Sequence, residues 1–290
     1  MGFRVVDQTP VTPPKVSDKR KTRSGKRRKR TWRRWVTGGL SIAIIAIIGI
    51  GSMEAINHVQ VKSASAQTQL QGLKKHASIV GDSELIVNQD KLDYGSNNHN
   101  IPNAKELKKY QKLSGKIYSR GYIAVPKQPG VSQPIPSLII NEGASDKVLA
   151  YGAGTPRPNQ KMGEGNFALA AHNFGNNQTY FSPMQNNIDV NATPKAYLTD
   201  GKRIYTYQFN KESDAVSGRK VVNYKQGSVL DNSVGKGQSL LTMITCDEPG
   251  IFTLSPENRL LLRAHLIDVK TVDEATSAEK ALFPQVFSTI

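Results

Sequence analysis

From Gly121 onward the chain breaks into short β-rich runs separated by turn residues, and this punctuation limits the fold more than any other feature. Eight runs stand out: "GYIAVP", "SLIINEG", "NFALAAH", "AYLTD", "KRIYTYQF", "KVVNY", "SLLTMITC" and "NRLLLRAHLIDV". The strongest local signal is "YLTDGKRIYTYQF", in which Asp200-Gly201 joins two such runs. That dipeptide tolerates the positive φ angles of a two-residue hairpin, so a tight hairpin is predicted there. About eight short strands with little helix imply an all-β domain with minor helices, either a closed or nearly closed barrel or a sandwich.

The net charge of +16 is a property of one end of the chain. Residues 1–34 carry thirteen Lys/Arg against two Asp, and the other 256 residues account for only +5. Such a tail invites a nucleic-acid reading, but the next segment argues against it. "VTGGLSIAIIAIIGIGSM", Val36 to Met53, contains no charge. At ~1.5 Å per residue it spans roughly 27 Å as a helix, close to the hydrocarbon thickness of a bilayer. Trp32 and Trp35 sit at its basic end, where amphipathic rings favour the headgroup layer. A cleaved signal peptide would have a shorter apolar core and a small-residue cleavage site. The expectation is a single-pass anchor with the N-terminus cytoplasmic, the remainder extracellular, and the basic run facing anionic membrane lipid. No nucleic-acid partner is expected.

Five regions are expected: a basic cytoplasmic tail (1–35), a transmembrane anchor (36–53), a stem with a short helix (54–115), a β-domain (116–272) and a C-terminal tail (273–290). Within the stem, Asn103 and Glu106 have capping-box spacing ahead of Leu107, Tyr110 and Leu113, which predicts a short helix.

One cysteine, Cys246, occurs in the whole chain, at the end of "LLTMITC". Outside a cell cysteines usually pair, so a lone one points to a free reactive thiol or to a small buried apolar group. A thiol at its ordinary pKa of ~8.5 is mostly protonated at neutrality, so a nucleophile needs a basic or cationic neighbour. His58, His76 and His99 fall in the stem, leaving His172 and His265. His172 ends a run and opens into "NFGNN", whereas His265 lies inside one. The residues alone do not choose between them. Arg259 and Arg263 share one face of their strand, so either could stabilise an oxyanion.

Taken together, these segments resemble the sortases, the membrane-anchored cysteine transpeptidases of Gram-positive bacteria, and look most like class A. "TMITC" is similar to the family's TLxTC motif, with Met243 where Leu is usual. "YGAGTPRPNQKMGEGNFALAAHN" resembles the segment leading to the family's histidine, which falls on His172, and "NRLLLRAHL" places the family's arginine at Arg259. "FSP" (Phe181–Pro183) and "LTDGKRIYTYQF" also resemble family segments. The likeness covers roughly Gly121 to Val269.

The resemblance implies an eight-stranded sortase-type β-barrel preceded by the N-terminal transmembrane helix. It implies Cys246 as a thiolate nucleophile, His172 as general acid and base, and Arg259 as substrate or oxyanion stabiliser, with Thr245 as a substrate contact. The implied partners are LPxTG-bearing secreted proteins and a lipid-linked peptidoglycan precursor whose amine accepts the acyl group. Some class A members bind calcium beside the loop before the Cys strand. Here that loop, about Lys220 to Ser239, holds only Asp231, with Glu142, Asp146 and Glu164 on loops nearby and no D-x-D spacing. No metal or other cofactor is expected. Two alternatives share the Cys–His pair: a pilin-polymerising class C enzyme and an extracellular thiol peptidase. The class C pattern includes a second, C-terminal membrane span and an N-terminal lid, neither recognisable in this sequence. A non-catalytic tethered barrel is the third.

Overall fold

A computed structural model describes residues 55–66, 79, 92–95, 101–110, 112, 116–230, 238–247 and 256–287. The Val36–Met53 segment, with the basic tail before it, lies outside the described residues. Among those described, no helix is long and apolar enough to cross a membrane.

Nine strands form one sheet: β1 (Ser119–Val125), β2 (Ile135–Glu142), β3 (Ala153–Thr155), β4 (Asn166–Ala170), β5 (Lys195–Thr199), β6 (Arg203–Phe209), β7 (Arg219–Asn223), β8 (Leu240–Cys246) and β9 (Asn258–Thr271). Their order is β6-β5-β1-β2-β3-β4-β8-β9-β7, and β6 also pairs with β9. That last pairing closes eight strands into a ring. β9 makes it possible by its length: residues 264–271 pair with β6, while 258–262 pair with β7 farther along. The eight-stranded barrel expectation therefore holds for the ring, with β7 as a ninth strand outside it.

Side chains alternate along these strands, as a period of two requires. Ile123 and Val125 of β1, Leu138 and Ile140 of β2, Phe167 and Leu169 of β4, Leu241 and Met243 of β8, and Leu260 and Leu262 of β9 share one buried cluster. Tyr122, Ala124 and Ile139 point the other way, into a second cluster completed by Ala275 and Phe283. This explains why β1 is buried along its whole length. The second cover comes from the supposed C-terminal tail, which carries α4 (Ser277–Ala281) and α5 (Pro284–Phe287). Thr276 and Glu279 form a reciprocal capping box at the start of α4. Phe283 is fully buried, a contribution of about 1.5–3 kcal/mol.

Upstream, α1 (residues 55–66) places Val61 and Ala64 in the main cluster, and α2 (Ala104–Tyr110) adds Leu107. The capping box predicted for α2 is present, with Asn103 N–H donating to Glu106 and Asn103 Oδ1 accepting from Lys105 and Glu106 N–H. Between β2 and β3 lies α3 (Asp146–Leu149).

Two expectations need correction. The Asp200-Gly201 hairpin is not a two-residue turn, because Thr199 pairs with Ile204. The Asp200 carboxylate accepts from the N–H groups of Lys202 and Arg203 and so builds a wider turn, with Gly201 at φ 86°. The stretch Lys220–Ser239 is not a single loop either: it begins inside β7 and holds a 3-10 turn over Gly227–Leu230, while Asp231 lies outside the described residues.

Candidate active site

β4 and β8 run parallel, from Asn166 beside Leu240 to Ala170 beside Ile244. Their C-terminal ends therefore reach the same end of the barrel. β9 runs antiparallel to β8, and its first residues meet β8's last, with Cys246 opposite Arg259. Topology alone thus brings one strand end with a histidine, one with a cysteine and one strand start with an arginine to the same place.

His172, Thr245, Cys246 and Arg259 line one cleft of about 250 Å³, together with Tyr94 and Tyr224. All four residues singled out in the sequence meet there. His265 does not: it is exposed on β9 and its Nδ1 lies 2.7 Å from Asn210 Oδ1. Arg263 pairs with Thr242 farther down β9 and does not reach the cleft. His58 lies on α1, and His76 and His99 fall outside the described residues.

His172 is 8% exposed, and its Nε2 is buried without a hydrogen-bond partner. Its ring packs against Phe174 at 5.5 Å between centroids, and Phe174 in turn against Tyr180 at 5.6 Å. Burial, and secondarily the positive charge of Arg259, push its pKa down to about 4. Cys246 is half-buried and unpaired. Burial raises its thiol above the ordinary value, Arg259 opposes that rise, and Asp247 adds to it. Thiol and imidazole are both neutral at rest near pH 7, because desolvation disfavours both charged forms.

The Arg259 guanidinium is held from two sides. Nη1 donates to the carbonyls of Pro256 (2.6 Å) and Asn258 (3.0 Å), and the group lies 5.7 Å from the Tyr224 ring centroid, within cation–π range. Its charge favours thiolate and disfavours imidazolium, which suits a group that meets developing negative charge. Thr245 is 2% exposed, and its hydroxyl donates to the Ala171 carbonyl at 2.8 Å. That bond anchors the chain just before His172.

Three further residues were not identified from the sequence. Tyr94 reaches the cleft from the segment preceding the barrel, its hydroxyl donating to Glu142 Oε1 at 2.9 Å. Tyr224 stacks on Arg259. Asn173 is fully buried and donates to the Cys246 carbonyl at 3.0 Å. Among the described residues no group of three or more His, Cys, Asp or Glu is arranged to hold a metal ion. Glu142 is already occupied by Arg120 and Tyr94.

The Sortase domain model matches residues 123–267, half of the chain. The chain belongs to the sortase family. Sortases are cysteine transpeptidases, and an eight-stranded ring with few helices is the arrangement of the sortase fold. Sortase A of Streptococcus agalactiae is 29% identical over 78% of this chain and 77% of its own length. Sortase A of Listeria monocytogenes is 33% identical over 39% of this chain, and sortase A of Bacillus anthracis 34% over 41%. For these last two the chain spans about half the length of the relative, 45% and 49%. Among solved structures, Listeria monocytogenes sortase A covers 59% of this chain and 99% of its own, with 27% identity and a TM-score of 0.45.

Proposed function

We propose that this sortase is a class A-type, membrane-anchored enzyme that cleaves an LPxTG-type sorting signal between Thr and Gly. It then joins the freed carboxyl end to the amine of a lipid-linked peptidoglycan precursor. The observation that carries the reading is the convergence of Cys246, His172 and Arg259 on one cleft from three strand ends. The localisation rests on the uncharged Val36–Met53 run and its basic flank, a pattern that supports a catalytic barrel outside the cell.

The chemistry follows from the neutral resting pair. As the signal peptide fills the cleft, the Cys246 proton passes to the His172 imidazole and Sγ attacks the Thr carbonyl carbon. Arg259 faces the negative charge that develops on the carbonyl oxygen. Collapse of this intermediate breaks the Thr–Gly C–N bond. The imidazolium gives its proton to the leaving glycine nitrogen, which leaves an acyl-thioester. The acceptor amine then attacks the thioester carbonyl and gives a proton to His172. The C–S bond breaks, the amide forms, and the sulfur recovers its proton from the imidazolium. No step consumes a metal or redox cofactor.

A pilin-polymerising class C-type reading is favoured by one observation, the entry of Tyr94 into the cleft from upstream of the barrel, where a lid would lie. One experiment separates the readings. The full chain in detergent is incubated with an LPxTG peptide and a panel of amines, and the products are identified by mass. Joining of a short cross-bridge amine supports cell-wall anchoring. Preference for a pilin lysine moves the assignment to class C, and release of the free acid alone makes the protein a peptidase.

A further inference from the structure

Beyond Ile244 the β4–β8 ladder stops. The last rung is Ala171 N–H donating to the Ile244 carbonyl at 3.1 Å, after which β4 leaves the sheet and His172 turns into the cleft. Along one strand edge, carbonyls of alternate residues point the same way. The Cys246 carbonyl therefore faces the side that β4 has vacated, where no main-chain donor follows among the described residues. Asn173 Nδ2 supplies the missing donor at 3.0 Å.

The amide of Asn173 is fully committed. The same Nδ2 donates to Gln185 Oε1 at 3.0 Å, and Oδ1 accepts from Gly175 N–H at 2.9 Å. Gln185 extends the chain of bonds, its Nε2 donating to Asp247 Oδ1 at 3.0 Å. Its backbone is clamped by Arg219, which donates to the carbonyls of Met184 (3.0 Å) and Gln185 (2.8 Å). The residue after the histidine is thus bonded to the cysteine, and its partner to the residue after the cysteine.

We propose that Asn173 and Gln185 are positioning residues that hold the C-terminal end of β8 in place of the absent strand rung, so that Cys246 and His172 keep a fixed relation. The inference rests on Cys246 being the nucleophile. A strand end released from this support moves its side chain by a fraction of an ångström or more, and misplacement on that scale costs roughly 10- to 100-fold in rate.

The test uses the full chain in detergent with two substitutions. Asn173→Asp keeps the shape and the acceptor for Gly175 but removes both donations at neutral pH. Gln185→Met keeps the length of a half-buried side chain and removes its amide, so it folds even where a buried carboxylate does not. Turnover of an LPxTG peptide is measured beside the pH dependence of Cys246 alkylation by iodoacetamide, which needs no peptide substrate. The expected result is a kcat loss of about tenfold with KM within twofold. The alkylation midpoint should fall towards the ordinary thiol value as the freed strand end lets water reach the sulfur. A lower thermal midpoint with unchanged kcat and alkylation profile in the folded variants overturns the proposal. Wild-type protein that alkylates normally but never processes the peptide refutes the proposed substrate and leaves the alkylation comparison to decide the role of Asn173.

Discussion

Two pairs of ionisable side chains in this barrel, Arg120–Glu142 and Cys246–His172, are built in opposite ways. Arg120 and Glu142, 8% and 2% exposed, form an ion pair in which the charged atoms have further partners. Arg120 Nη2 donates to the Gln160 carbonyl, and the second Glu142 oxygen accepts from Tyr94. His172 is 8% exposed and Cys246 half-buried, and His172 Nε2 has no partner. Burial costs free energy for any charge that is not paired and hydrogen-bonded. The first pair meets that condition. The second does not, and burial drives both groups neutral. One pair holds the fold together, while the other keeps a proton in a place from which it can move.

The contrast can be broken or sharpened experimentally. Cys246→Ala should lower acyl transfer by more than about 10⁴-fold while leaving the melting temperature nearly unchanged, as measured by peptide turnover and calorimetry on the same sample. Retained turnover would refute the nucleophile assignment. Arg259→Lys should cost roughly 10²–10³ in kcat, since a point charge does not reproduce a fixed planar fork. Arg263→Lys, away from the cleft, should stay within a few-fold. Equal losses would mean that the wrong arginine has been placed beside the oxyanion.

Glu142→Gln should behave in the reverse manner, with a large effect on stability and a small one on chemistry. It strands a buried guanidinium at a cost of about 3–5 kcal/mol, which corresponds to a fall of roughly 10 °C in Tm at this size. A change under 2 °C would show that water already reaches Arg120. The smallest effect is the pH response. With His172 near 4 and the thiol above its ordinary value, the protonation state of the pair does not change between about pH 5 and 8. A profile of kcat/KM should be flat there, falling on the acid side through about 4. A bell with limbs near the free imidazole and thiol values, ~6.5 and ~8.5, would mean that the cleft is wet and the contrast with Arg120–Glu142 is false.

Much of the barrel was legible because alternation and turn residues are local signals. All eight β-rich runs are strands, but the agreement in number hides two offsetting errors. β3 was missed because three small residues, Ala153 to Thr155, show no alternation and become a strand only by pairing with β2 and β4. "KVVNY" was counted in the barrel but lies on the outer edge of β9. The Thr276–Glu279 capping-box spacing is present in the sequence, within a largely polar stretch. Only the fold shows that Phe283 is buried under α4 and α5.

For the site, a lone cysteine at a strand end was conspicuous. His172 and His265 could not be separated from the residues alone, because the difference is which strand end faces which cleft. Asn173 and Tyr94 were illegible for a similar reason. Asn173 meets Cys246 across 73 residues and Tyr94 meets Glu142 across 48, and no periodicity records such contacts.

The parallel seam between β4 and β8 also bears on how the molecule becomes active. Parallel neighbours cannot be joined by a hairpin, and here residues 171–239, carrying β5, β6 and β7, cross over between them. Contacts so distant along the chain form late, because loop closure must precede them. The three reactive side chains therefore share a cleft only after the last strand has docked. A partly folded chain carries its thiol on an unassembled segment, without the imidazole and guanidinium that acyl transfer needs.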